Sequence, residues 1–350
     1  MEDQVHDLQR ENIFVKEELE SLKKNCLYNF DNISSHPELF LKAVGLEIEA
    51  FHDLFIFLKP GENCNNIKFY EGGRQATADS KPTSDSLSGK KRGPKLKMKA
   101  LDQLFMCLTW LRNGFSLSHM SWLFQLPKST VSRYLISWIN FLYFSLGSIP
   151  IWPSKEQIQK FMPETFKSTY PSTRCIIDCT ELFCQRPSSL GIQSSLYSSY
   201  KHHVTYKALI GIAPSGATTF VGQLFDGSIS DREIVQRSGI LNSALWDEGD
   251  SLMADRGFTI ADDLKDLKVE LNIPAFLGRR DQLTEDEVIE SQTIASVRIH
   301  VERAIQRVKK FKLIRNEIPL VLHGSVNQIW TVCCLLCNFM PPLMQKDTQN

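Results

Sequence analysis

The 350-residue sequence has no excess of charge of either sign: 40 Lys and Arg balance 40 Asp and Glu. A polycation held to nucleic acid by bulk charge is excluded, so any such affinity must come from local patches. No apolar run reaches the length of a membrane span. The most apolar segment, IWTVCCLLCNFM (329–340), reads as a buried terminal helix. The first residues are charged, so no signal peptide is expected. The nine cysteines are odd in number and lack the spacing of a disulfide framework. Cys333, Cys334 and Cys337 contain a C-x-x-C, but on an apolar helix with no histidine nearby, so buried thiols are expected rather than a zinc site. A reducing, intracellular compartment fits this cysteine usage, and no membrane partner is expected.

What is present begins with a heptad pattern. Val5, Asn12 and Leu19 take one seam position, and Leu8, Val15 and Leu22 the other. Residues 1–27 therefore read as a coiled coil, and the Asn in the seam favours a parallel homodimer. An ordinary amphipathic helix packed on its own chain would show the same pattern. Residues 36–71 continue as a helical segment. Residues 72–98 are rich in Ser, Thr, Gly, Pro and charge and have almost nothing to bury, which predicts a disordered linker. Its basic end makes Lys91, Arg92 and Lys95 candidate phosphate contacts. The same run also reads as a solvated tail or a nuclear-import signal.

Residues 99–148 predict three helices. Ala100–Arg112 is amphipathic and is stopped by Asn113-Gly114. Ser116 can cap a short second helix, QLPKS is a tight turn, and 129–142 form a third helix. This is helix-turn-helix geometry, which places the last helix in a DNA major groove. Lys128, Ser129, Thr130 and Arg133 sit at its N-terminal end, where contacts are made. A plain helical bundle is the simpler alternative.

Beyond a Pro-bounded connector, residues 165–340 change character. RCIID (174–178) is a short apolar strand ending in a carboxylate, and DSLMAD (250–255) is another. TYKALIGIAP and ATTFVGQLFDG form a hairpin through Pro214-Ser215-Gly216. SDRE (230–233) reads as a capping box, with Ser230 at the cap and Glu233 at the third helical position. VELNIPAF (269–276) reads as a strand. RIHVERAIQRVKKFK (298–312) lies on a helix whose apolar stripe runs through Ile294, Val297, Val301, Ile305, Val308 and Phe311. The fold class is therefore mixed α+β: a helical N-terminal region, then a mixed sheet flanked by helices.

Three carboxylates stand out. Asp178 and Asp255 end strands, and sites in such sheets form beyond the strand carboxyl ends. Glu302 is the only acid on a helix otherwise rich in cations. Phosphodiester cleavage needs such a set, because hard divalent cations bind carboxylate oxygens and two ions can activate a water and stabilise the leaving oxygen. Each residue also has a plain reading: a turn residue for the aspartates, and an i−4 salt bridge to Arg298 for Glu302. Glu181 could support the same site. Asp231 is explained by the capping box. Lys201, His202, Lys207, Arg256 and Arg298 are candidate phosphate contacts.

In order along the chain, IIDCTE, KHHVTYK, GSISDREI, ADRGF and RIHVER resemble the transposase-derived DDE superfamily endonucleases related to the Harbinger elements. Residues from KKRGPK through the third helix resemble the helix-turn-helix of one branch. The resemblance implies an RNase H-like fold, a DNA substrate, a nuclear location, and Asp178, Asp255 and Glu302 as catalytic metal ligands for Mg²⁺ or Mn²⁺, two ions in all. Relatives in this branch often carry an upstream zinc-dependent DNA-binding module. No Cys/His spacing for one occurs here, which leaves room for an additional DNA-binding partner protein. The competing expectation is a domesticated, non-catalytic DNA-binding or regulatory protein.

Overall fold

Residues 28–61, 64–69, 98–278 and 280–343 are described by a computed structural model. The heptad segment and the basic run bearing Lys91, Arg92 and Lys95 lie outside the described residues.

Three short helices come first: α1 (Phe30–Ser34), α2 (Pro37–Val44) and α3 (Ile48–Leu58). Phe30, Phe40 and Phe51 bring their rings together, and Phe40 stacks at 5.9 Å on Phe105 of the next helix. The helix-turn-helix follows as α4 (Ala100–Asn113), α5 (Leu117–Leu123) and α6 (Lys128–Gly147). Ser116 caps α5, its hydroxyl accepting from the His119 amide at 3.2 Å. The turn into α6 places Gln125 in the left-handed region, with φ 51°. Trp138 is buried in α6 and donates its indole N–H to Gln103 of α4 at 2.9 Å, fixing the two helices together. The third helix runs one turn further than the sequence pattern suggests, because its late turns find a partner in the C-terminal helix.

After α7 (Lys155–Phe161) and α8 (Glu164–Thr169), the sheet begins with β1 (Thr173–Phe183). Then come α9 (Leu190–Leu196), β2 (Tyr197–Ser198), β3 (His203–Ile212), β4 (Thr218–Val221) and β5 (Phe225–Asp226). The chain continues through α10 (Asp231–Ser238), β6 (Ser251–Met253), α11 (Ala261–Lys265) and β7 (Glu270–Asn272). It closes with α12 (Glu285–Val308), α13 (Lys312–Arg315) and α14 (Val326–Leu336). The strand order is β2-β3-β1-β6-β7, with β4 and β5 also paired to β3. β1 and β3 are antiparallel, while β1, β6 and β7 are parallel. This is a mixed sheet with helices on its faces, the RNase H-like kind.

β1 separates two cores, because alternate side chains of a strand face opposite sides. Ile176 and Leu182 join Val301 and Val308 of α12 and Trp330 of α14. Cys175 and Ile177 join Ile234 and Val235 of α10 and Leu264 of α11. The first core continues without a break into the helix-turn-helix, through Leu135, Trp138 and Leu142. At a second seam, Gly114 ends α4 with φ 64°, and a Cβ there would lie 3.1 Å from the backbone of Lys312 and Leu313. Only glycine meets both the left-handed backbone and the close approach of α13.

Several sequence expectations are corrected. β1 does not end at Asp178 but runs to Phe183, because antiparallel pairing with β3 continues there. β6 stops at Met253, two residues short of Asp255, and β7 is only three residues long. The closing helix starts thirteen residues before Arg298, at a Thr284–Glu287 capping box, and ends at Val308, leaving Phe311 and Lys312 beyond it. The capping box at Ser230 is half formed: Ser230 accepts from the Glu233 amide, but the Glu233 carboxylate pairs with Arg237 at 2.6 Å. The apolar run is also longer than the terminal helix read from sequence. Leu320–Phe339 is long and apolar enough to cross a membrane, yet half of it is buried inside the protein, with Cys333, Cys334 and Cys337 among the buried thiols.

Candidate active site

Parallel pairing between β1 and β6 ends at Ile176 and Met253. Asp178 and Asp255 each stand two residues beyond that point, so the sheet itself puts both acids at one edge. Asp178 continues along β1, held there by β3. Asp255 sits in a turn, where the Phe258 amide donates to its carbonyl at 3.0 Å. The Cys179 amide donates to the Asp178 carboxylate at 2.9 Å.

α12 lies across this edge. Val297 and Val301 face the core, which turns Arg298 and Glu302, four residues apart, together toward the aspartates. The Arg298 guanidinium stands between the acids. Nη2 donates to Glu302 Oε1 at 2.7 Å, and Nη1 lies 3.8 Å from Asp255 Oδ1. Burial pushes the Asp178 carboxyl up to about 6. The Arg298 charge and the Cys179 amide oppose that rise, and the charges of Asp255 and Glu302 add to it. Asp178 therefore feels both other carboxylates and the guanidinium, and Asp255 and Glu302 both face that same guanidinium.

The other candidates sort by what they touch. Glu181 is buried, and both its oxygens are occupied: Ser198 donates at 3.0 Å and Thr205 at 2.8 Å. Lys207 donates to the Ile229 carbonyl at 3.0 Å and pairs with Asp231 at 3.2 Å, tying β3 to the start of α10. Lys201 and His202 lie exposed in the turn before β3, with Lys201 over the Tyr200 ring. Arg256 is exposed and has no ion-pair partner among the described residues.

Sequence reasoning left Lys309 out of the site. It is half-buried, and its ammonium is pushed below the usual lysine range by burial and by Lys201, while Glu181 and Asp178 pull it back. The missed signal is helical spacing. Lys309, capping α12, lies seven residues past Glu302 and therefore follows on the same face.

Two family matches decide the assignment. Residues 177–338 match the family described as DDE superfamily endonuclease, and residues 96–148 match the helix-turn-helix of DDE superfamily endonuclease. The chain belongs to the DDE superfamily endonucleases. No curated protein and no solved structure matches it. In this chain the helix-turn-helix presents Lys128, Ser129 and Arg133 exposed and Thr130 half-buried at the start of α6. The Arg133 guanidinium lies 5.8 Å from the Phe69 ring centre. Both domains point to DNA as the partner.

DDE superfamily endonucleases generally use divalent metals. The donor chemistry here suits such an ion, since all three acids offer hard oxygen ligands. Among the described residues, however, no group of three or more His, Cys, Asp or Glu side chains is gathered to hold a metal ion. Two of the acids, Asp255 and Glu302, face a guanidinium instead.

Proposed function

We propose that the chain is a metal-dependent DNA endonuclease of the transposase type, with Asp178, Asp255 and Glu302 as its catalytic carboxylates. One observation carries this reading: Asp255 and Glu302, far apart in sequence, both pair with the single Arg298 guanidinium, and Asp178 stands level with Asp255 just beyond the β1–β6 pairing, in the domain matched as an endonuclease. The carboxylates would hold Mg²⁺ or Mn²⁺, two ions in all. Bound divalent cations would supply Lewis-acid charge and an activated water for phosphodiester cleavage. The chain's own part is placement. β1 and β6 fix the two aspartates, α12 brings Glu302, and Lys201, Lys309 and Arg256 supply positive charge beside them for a DNA phosphate. Lys128, Ser129, Thr130 and Arg133 would position the duplex. The dimerising seam of 1–27, the phosphate contacts of the basic run and a nuclear location belong to the same proposal.

The test is nicking of supercoiled DNA by the purified chain with Mg²⁺ or Mn²⁺. The reading expects nicking that disappears in Asp178→Ala, Asp255→Ala and Glu302→Ala. Absence of nicking, or its survival in these variants, overturns it. A second reading, a non-catalytic DNA-binding descendant, draws support from the ungathered acids. It expects salt-sensitive DNA binding with no divalent-metal site.

A further inference from the structure

The way the acids meet makes a further point, which rests on the nuclease reading above. We infer that Arg298 is the resident counter-cation of the metal-free site, and that a divalent ion must displace its guanidinium before the carboxylates can gather.

An ordinary i,i+4 surface pair does not account for the geometry. Such pairs lie in water and contribute little. Here the Arg298 side chain is only 13% exposed, while its partners Asp255 and Glu302 are 53% and 49% exposed. The cation is the inner member and the acids the outer ones. Its Nη1 is buried and has no hydrogen-bond partner. At 3.8 Å the Asp255 oxygen is too far for a hydrogen bond and close enough for strong attraction. A buried guanidinium N–H left without a partner is costly. The guanidinium is held by the field of the acids around it, in the place where a cation is wanted. Carboxylates brought close together bare would repel, so the arginine offsets the charge of Asp255 and Glu302 while no metal is bound. Arginine does not lose its charge in a protein, so it cannot yield by deprotonating. It has to swing away, pivoting on the same helix that carries Glu302.

The full-length chain is titrated with Mn²⁺ by calorimetry, alongside Arg298→Gln, Arg298→Lys and Arg303→Gln. Arg298→Gln should bind on the order of tenfold tighter, equivalent to ~1.4 kcal/mol, because the competing cation is gone. Arg298→Lys keeps the charge and should stay nearer the parent. Arg303 is exposed on the same helix, and its replacement should leave affinity within about twofold, as expected for a solvated charge. Unchanged or weaker binding by folded Arg298→Gln overturns the inference alone, as does equal tightening by Arg303→Gln. No Mn²⁺ site in the parent chain overturns both the inference and the nuclease reading. If Arg298→Gln fails to fold, the parent chain labelled with ¹⁵N-arginine decides. Mg²⁺ should shift the Arg298 side-chain signal, and a signal unmoved at saturating Mg²⁺ overturns the inference.

Discussion

Glu181 stands three residues from Asp178, and replacing it with leucine separates a scaffold carboxylate from a metal ligand. In the fold its two oxygens accept from Ser198 at 3.0 Å and Thr205 at 2.8 Å. All three residues are buried. Leucine removes both acceptors and strands two hydroxyls away from water. Each unsatisfied buried donor costs about 1–3 kcal/mol. The total should be about 2–5 kcal/mol, reduced somewhat because a buried charge also disappears. Glu181→Gln should cost far less, since its amide can both accept from and donate to the same hydroxyls. Urea denaturation followed by circular dichroism reads the loss as a lower midpoint at unchanged slope. Mn²⁺ titration below the transition should find the parent affinity in both variants. A leucine variant as stable as the parent, or one that keeps stability and loses metal, would refute the scaffold assignment.

Trp138→Phe should destabilise the helix-turn-helix by about 2–4 kcal/mol, from the lost hydrogen bond and the smaller ring. Combining it with Gln103→Leu should recover part of that loss in a double-mutant cycle, and strict additivity would contradict the coupling. Lys128→Ala and Arg133→Ala should each lower the salt-dependence slope of duplex binding by about 1 if each meets one phosphate; an unchanged slope removes that residue from the interface. Burial and the neighbouring Arg303 hold the His300 imidazole below its usual value of 6.5. The folded state thus resists a proton that the unfolded chain accepts, so stability should fall as pH drops below about 6.5. His300→Gln should flatten that part of the stability–pH curve measured by denaturant titration.

The candidate acids were legible in the sequence because they occupy positions that secondary structure makes special. Asp178 and Asp255 follow short apolar runs that do become strands, and each stands two residues past the β1–β6 pairing, although β1 itself runs on to Phe183. Glu302 stood out as a lone acid among the cations of 298–312, although the helix proves to start earlier and to carry Glu285, Asp286, Glu287 and Glu290 as well; the four-residue step to Arg298 was visible in advance. The true extent of β1 was not legible, because its second half is set by pairing with the distant strand β3, from Cys179 with Leu209 to Phe183 with Thr205. The shortness of β6 and β7 was hidden for the same reason, since apolar content does not say where a partner strand stops. Lys309 went unnoticed because its significance depends on Lys201, Glu181 and Asp178, which no local pattern connects to it. Most of all, the sequence offered the salt bridge and the acid cluster as alternatives. The fold shows the salt bridge, extended to a second acid, because Arg298 pairs with Glu302 and lies 3.8 Å from Asp255; among the described residues the acids are not gathered as a metal-binding group.

The unbroken core from α6 to α14 bears on where a cut would fall. Had the helix-turn-helix been tethered by a floppy connection, the bound site and the broken bond could slide relative to each other. Here Leu135, Trp138 and Leu142 share a core with Val301, Val308 and Trp330, and Gly114 seats against α13. On the proposed function the chain is then a ruler with both marks engraved. The offset in base pairs between the sequence gripped and the phosphate attacked would be a constant of the protein, and a volume-changing substitution at this seam would blur it.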